Sequence, residues 1–151
     1  YRLLGAIFHR RAESEQLAAA LDAALAEGRA VGAALPREKV LYLIWREPWM
    51  TVAQGTYIAA TLAAVGWDTC PVLSEPRYPA FEWDAPWLPE VQRVLLSSEP
   101  YRFREQHVDE VGRLSGLPPS LIDGEMASWY GSRAIEGLRH LAALRRRLAA
   151  E

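Results

Sequence analysis

The chain has 151 residues, half of them hydrophobic and 24% charged, with a formal net charge of −2. That length builds one domain around a single core. The composition excludes a disordered or collagen-like chain, and the slightly acidic balance argues against a general nucleic-acid binder, which would carry a basic face. No apolar run approaches the roughly 20 residues that cross a bilayer, and the one cysteine, Cys70, has no disulfide partner within the chain. The sequence opens at Tyr1 with neither an initiator Met nor a charged-then-apolar leader, which reads as a processed chain or a piece of a longer one.

Residues 1–27 are predicted as one long helix, because Leu3, Leu4, Ile7, Phe8, Leu17, Leu21 and Leu25 recur at three-to-four spacing. Gly28 and Gly32 are its expected terminators, and Pro36 closes the segment. Residues 40–45 form a continuous apolar run rich in β-formers, as suits a strand covered on both faces in a parallel sheet. A loop over 46–50 follows, since Pro48 lacks a backbone donor. Thr51 with Gln54 has capping-box spacing, and Thr56 after Gly55 is an equal start for a second helix that Gly66 ends.

Residues 67–90 hold five prolines among Trp67, Tyr78, Phe81, Trp83 and Trp87, and read as a long irregular stretch of the kind that carries function. Residues 91–97 are predicted as a second buried strand, 98–101 as a turn, 103–114 as a helix and 117–123 as a short third strand. A loop over 124–131 leads to Ser132, the expected cap of a last helix carrying Ile135, Leu138, Leu141, Leu144 and Leu148.

The order is helix, then strand–loop–helix three times. It predicts an α/β fold, a three-layer lobe with helices on both faces of a parallel sheet reached by right-handed crossovers. Ligands of such sheets bind outside the carboxyl ends of the strands, so loops 46–50, 98–101 and 124–131 should share one edge. Those loops supply Trp49, Glu99, Tyr101, Glu125, Trp129 and Tyr130, with Trp45 and Met50 beside them; Tyr78, Phe81, Trp83 and Trp87 stand in the neighbouring proline-rich stretch. Rigid aromatics with a few carboxylates suit a large, partly apolar ligand. Any one of these tryptophans could equally cover a strand end as ordinary core, but for the set the polar neighbours favour a binding role.

Signals for catalysis are weak. His9, His107 and His140 lie far apart on predicted helices without metal-ligand spacing and read as surface residues. Cys70 has no histidine nearby to activate it. Phosphate-loop, dinucleotide and nucleophile-elbow patterns are missing from the chain. The run Arg145-Arg146-Arg147 reads as a solvated helix face.

Four segments, however, form a pattern. Val40-Leu41-Tyr42-Leu43-Ile44-Trp45-Arg46-Glu47-Pro48-Trp49-Met50-Thr51 with Thr56-Tyr57-Ile58 resembles the opening of the C-terminal lobe in the vitamin B12/ferric-siderophore family of ABC-importer binding proteins. Arg77-Tyr78-Pro79, Leu95-Leu96-Ser97-Ser98-Glu99-Pro100-Tyr101, and Asp123-Gly124-Glu125 followed by Ser128-Trp129-Tyr130-Gly131-Ser132-Arg133 continue the resemblance in order. Glu82–Pro89 departs from it, being richer in Trp and Pro.

The resemblance implies half of a two-lobe binding protein. Residues 1–35 would be the end of the helix joining the lobes with its linker, 36–151 the ligand-binding lobe, and the N-terminal lobe would lie outside this chain. It places Trp49, Tyr78 and Glu125 on the ligand-facing edge, with Trp129 and Tyr130 in the same loop; Tyr101 joins them from the strand-end argument. Asp84 or Glu82 would dock the lobe onto a permease arginine. The implied function is delivery of cobalamin or a related chelate (siderophore, haem) to a bacterial ABC importer from a periplasmic or surface-tethered position, with no catalysis, no resident cofactor and no metal site of its own. Two other readings stay open. One is a small α/β enzyme using Glu99 or Glu125 as acid or base. The other is an interaction module that pairs with a separate lobe or with itself, as a homodimer through apolar surface left uncovered.

Overall fold

A computed structural model describes residues 1–151. The chain opens with two helices packed against each other, α1 (Arg2–Ile7) and α2 (Arg11–Ala34), where one continuous helix was expected. The break falls at Phe8–Arg10, with His9 in the left-handed region at φ 54°. Its physical cause is local. Gly5 lies so tightly against Ser14 that any β-carbon there would collide with the serine hydroxyl, and Arg2 pairs with Glu15 at 3.1 Å, so α1 folds back on α2. At the other end α2 runs past both glycines expected to stop it. Gly32 is a contact point: a β-carbon there would sit 2.8 Å from the backbone nitrogen of Gly66.

Five strands follow. β1 (Glu38–Trp45) turns into a short antiparallel β2 (Met50–Thr51), pairing Leu43 with Thr51 and Trp45 with Met50, so the predicted loop at 46–50 is a hairpin. α3 (Tyr57–Ala64) is capped by Thr56, whose hydroxyl accepts from the Ala59 nitrogen at 3.1 Å. Thr51 does not cap it; its hydroxyl donates to the Tyr42 carbonyl instead. β3 (Trp67–Thr69), inside the stretch expected to be irregular, pairs parallel with the first half of β1. β4 (Arg93–Ser97) pairs parallel with β1, and β5 (Pro119–Ile122) pairs parallel with β4. The sheet is therefore mostly parallel, in the order β2-β1-β4-β5, with β3 beside β1.

Alternation along β1 and β4 divides the core in two. Val40, Tyr42, Ile44 and Leu95 face Val31 of α2, Leu62 of α3 and Leu141, Leu144 and Leu148 of the last helix, α6 (Arg133–Leu148). Leu41, Leu43, Val94 and Leu96 face Val111 of α4 (Val108–Ser115) and, over much of the same face, the aromatic segment with Phe81, Trp83 and Trp87. One layer is thus all helix and the other is half loop. Phe81 is buried against both Trp83 and Trp87 at ring separations of 5.3 Å. These rings fill core where their polar sequence neighbours predict little core to fill.

Two polar residues expected at the surface are buried. His107 is 7% exposed, its Nδ1 accepting from the Arg104 nitrogen at 2.9 Å and its Nε2 lying 3.3 Å from the Tyr101 hydroxyl. Arg145 is 1% exposed beneath the sheet, donating to the Pro36 carbonyl and pairing with Glu38 at 3.2 Å. Arg146 and Arg147 remain on the solvated face.

Candidate functional site

The carboxyl ends of β1, β4 and β5 meet at one edge of the sheet, as a parallel register requires. Tyr101, after β4, donates its backbone N–H to the Ile44 carbonyl of β1, and its ring meets Trp45 edge-on at 5.8 Å. The Gly124 nitrogen, after β5, donates to the Ser98 hydroxyl at 2.9 Å. The expected loop over 124–131 begins with a short helix, α5 (Gly124–Ser128), because the Asp123 carboxylate caps it by accepting from the Glu125 nitrogen at 3.0 Å. Ser132 precedes α6 without a side-chain cap bond.

Glu99 sits at the centre of this edge. One of its oxygens accepts from the Ser128 hydroxyl at 2.6 Å and from the Trp129 indole nitrogen at 2.9 Å. Its backbone is tied to the sheet, since the Ser97 hydroxyl donates to the Glu99 carbonyl at 2.6 Å and lies 3.0 Å from the buried Tyr42 hydroxyl. Burial pushes the Tyr42 phenol up, so it remains protonated and able to donate. On the far side Tyr57, the first residue of α3, donates its hydroxyl to the Trp129 carbonyl at 3.4 Å and meets the Tyr130 ring edge-on at 5.6 Å. Trp129 is half exposed and Tyr130 is 77% exposed, so both side chains are open to solvent. Glu125 is paired with Arg133 at 2.8 Å.

The six residues singled out as ligand-facing divide. Glu125, Trp129 and Tyr130 are grouped beyond β5, where the Trp129 indole bonds Glu99; Tyr101 shares the turn of Glu99, but its ring packs on Trp45, Phe103 and His107. Trp49 is partly buried, packed on Trp83 at 5.3 Å and stacked on Phe103 at 6.4 Å, with the Arg46 guanidinium 5.8 Å from its ring centre. A ladder of rings through Phe103 joins it to Tyr101, 4.8 Å from Phe103. Tyr78 is exposed on the sheet's flank, where residues 77–81 run alongside β2 through bonds such as Thr51 nitrogen to Pro79 carbonyl at 3.1 Å. No ring contact or hydrogen bond joins it to the β5 group. Glu82 and Asp84 are exposed on either side of Trp83 and make no ion pair.

Sequence reasoning quoted Tyr57 and Ser128 only within the resembling segments, without a role, and read Glu99 as one of the strand-end carboxylates or as an acid or base, not as the partner of Trp129. Nothing local marks Tyr57, the first residue of a helix more than seventy positions from its partner. The Glu99–Trp129 bond spans 30 residues and exists only because β4 and β5 are neighbours.

Chemically, this edge offers flat aromatic faces, hydroxyls and fixed carboxylates. Glu99 is held by two donors and Glu125 by an arginine, so each is anchored in a scaffold.

No family model matches the sequence, and no curated protein matches it. Solved structures do. The periplasmic vitamin B12-binding protein of Vibrio cholerae superposes with a TM-score of 0.66 at 14% identity over 86% of this chain and 52% of its own. The periplasmic heme-binding protein of Roseiflexus sp. RS-1, in apo form, gives 0.75 at 16% identity over 98% of this chain and 61% of its own. An ABC transporter solute-binding protein of Sulfurospirillum deleyianum gives 0.71 at 16% identity over 99% of this chain and half of its own. These neighbours are binding proteins rather than enzymes, and the chain spans between half and about three-fifths of their length. The fold is that of a single lobe, and in it the chain resembles the periplasmic binding proteins for vitamin B12 and heme.

Proposed function

We propose that this chain is a ligand-binding lobe, the C-terminal one, of a substrate-binding protein that delivers cobalamin or a related chelate such as haem or a siderophore to an ABC importer. What supports this reading is the bond from the Trp129 indole to Glu99, which joins the segments following two adjacent parallel strands: Glu99 and Tyr101 after β4, and Glu125, Trp129 and Tyr130 after β5. Aromatic faces can lie against a macrocycle while carboxylates accept from peripheral amides, and half-exposed rings leave that contact available. Trp49 and Tyr78 would extend the wall along the flank.

Under this reading the lobe does no chemistry and needs no resident cofactor. It would act in the periplasm or tethered at the cell surface, and Glu82 or Asp84, exposed and unpaired, would meet a permease arginine, steering and registering the complex more than tightening it. A specific observation favours self-association in the chain as it stands. Leu3, Leu4, Ile7 and Phe8 of the first helix and the turn after it are each more than half exposed, beside an apolar groove of about 670 Å³ that runs to Tyr57 and Tyr130.

Tryptophan fluorescence tests the ligand, corrected for the ligand's own absorbance. Cyanocobalamin and haem are titrated into the wild type, Trp129→Ala and Trp49→Ala. Saturable quenching that weakens in Trp129→Ala is expected. No saturable quenching by either ligand, even with a second lobe supplied, would overturn the assignment.

A further inference from the structure

We infer that Glu99 is a positioning residue, whose carboxylate holds the Trp129 indole at the strand-end edge in the orientation a ligand meets. Where ligand is concerned, the inference rests on the function proposed above. A half-exposed tryptophan ordinarily leaves its indole N–H to water. Here that N–H turns inward, to a glutamate two residues past the end of a core strand.

The anchor beneath it is continuous. The buried Tyr42 hydroxyl lies 3.0 Å from the Ser97 hydroxyl, and Ser97, fully buried, donates to the Glu99 carbonyl and accepts from the Glu99 nitrogen at 3.3 Å. The side chain then passes under the first turn of α5, where Gly124 makes room for it: a β-carbon at 124 would sit 2.6 Å from the Glu99 γ-carbon. From there one carboxylate oxygen takes both the Ser128 hydroxyl and the indole. An ionised acceptor makes the stronger kind of hydrogen bond, so a ring free to swing about two side-chain torsions is fixed in one pose. Holding the ring before the ligand arrives lowers the ordering cost of binding.

Glu99→Ala and Glu99→Gln separate this from a merely structural role, because the glutamine keeps an acceptor oxygen at the same reach. The readouts, on the full chain, are the ¹⁵N-indole resonance of Trp129, assigned by its loss in Trp129→Phe, and quenching by cyanocobalamin and haem. In Glu99→Ala the resonance should move upfield and exchange faster with water, and the affinity for whichever chelate the wild type binds should fall about tenfold. Glu99→Gln should recover most of both, and circular dichroism should stay unchanged. Should the alanine variant fail to fold, Glu99→Asp, which keeps the charge but shortens the reach, is read the same way. An unmoved indole resonance overturns the inference, and so does a moved resonance with unchanged affinity. If the wild type binds neither chelate, the proposed function fails, and the indole resonance alone then decides whether Glu99 positions the ring.

Discussion

The same bond occurs at both ends of the sheet. At the amino end the Trp67 indole donates to Glu38 at 2.9 Å, and at the carboxyl end the Trp129 indole donates to Glu99 at 2.9 Å. Their surroundings differ. Trp67 is fully buried, and Glu38 also takes Arg93 at 3.1 Å and the buried Arg145 at 3.2 Å, whereas Trp129 is half exposed and the other donor on Glu99 is a serine hydroxyl. Burial makes the first bond part of the fold, because the Trp67 indole and the Arg145 guanidinium cannot turn to water instead. Exposure lets the second exchange with water, so little stability should depend on it.

Removing a partner at the buried end should have the largest effect. Glu38→Ala leaves the buried Trp67 N–H without its acceptor and the buried Arg145 charge without its counter-ion, and should cost about 3 kcal/mol in urea unfolding. Glu99→Ala, at the partly solvated end, should cost about 1 kcal/mol or less. Equal losses would erase the contrast.

The two tryptophans compare directly as phenylalanines. Trp67→Phe strips a donor from a closed network and leaves a gap beside Arg145, whose guanidinium lies 5.6 Å from the ring centre, so it should destabilise by about 2 kcal/mol. Trp129→Phe should stay within about 0.5 kcal/mol of wild type. Thermal melts of the two variants decide it.

Acid should sharpen the contrast further. Burial alone would push the Glu38 carboxyl up, but the bonds from Arg93 and Trp67 and the charges of Arg93 and Arg145 outweigh it, so the group is held below its ordinary 4.5. The unfolded chain then binds the proton more readily than the folded one. The stabilisation is complete above about pH 5 and is lost as pH falls through the lower folded value. Urea midpoints from pH 7 to pH 3 should fall less steeply in Glu38→Gln than in the wild type. A parallel decline would remove Glu38 as a source of acid sensitivity.

The smallest effect is spectroscopic. Acrylamide should reach Trp129 and not Trp67, so Trp129→Phe should lower the quenchable share of tryptophan emission while Trp67→Phe raises it. The reverse result would mean that the two environments have been exchanged.

Strand content was legible because buried parallel strands need apolar runs, and residues 40–45 and 94–96, the centre of the strand predicted over 91–97, show them without tertiary help. The edge where the loops meet was legible for the same reason: once the strands are parallel, their ends are brought together. The hairpin at β2 was not, since two residues carry no periodicity. The stretch from 67 to 90 is irregular beyond β3, as its prolines predict, but the packing of its aromatics on Leu41, Leu43, Val94 and Leu96 was not legible, since those residues belong to strands distant in sequence.

By itself, the sequence determined the alternation of elements, the burial of β1 and β4, and the residue types gathered after each strand, all of which depend on neighbours within a few positions. Only the tertiary structure decided what Gly32, His107, Arg145 and Glu99 do. Gly32 looks like a helix stop until Gly66 lies across it, and Arg145 looks solvated until Glu38 is beneath it. His107 and Glu99 take their roles from Tyr101 and from Trp129, a ring across a turn and a ring across two strands. Glycine, histidine, arginine and glutamate can each serve at a surface or in a network. Their role is set by which groups the folded backbone brings within about 3 Å of them, and for Gly32, Arg145 and Glu99 those groups lie some thirty residues or more away along the chain.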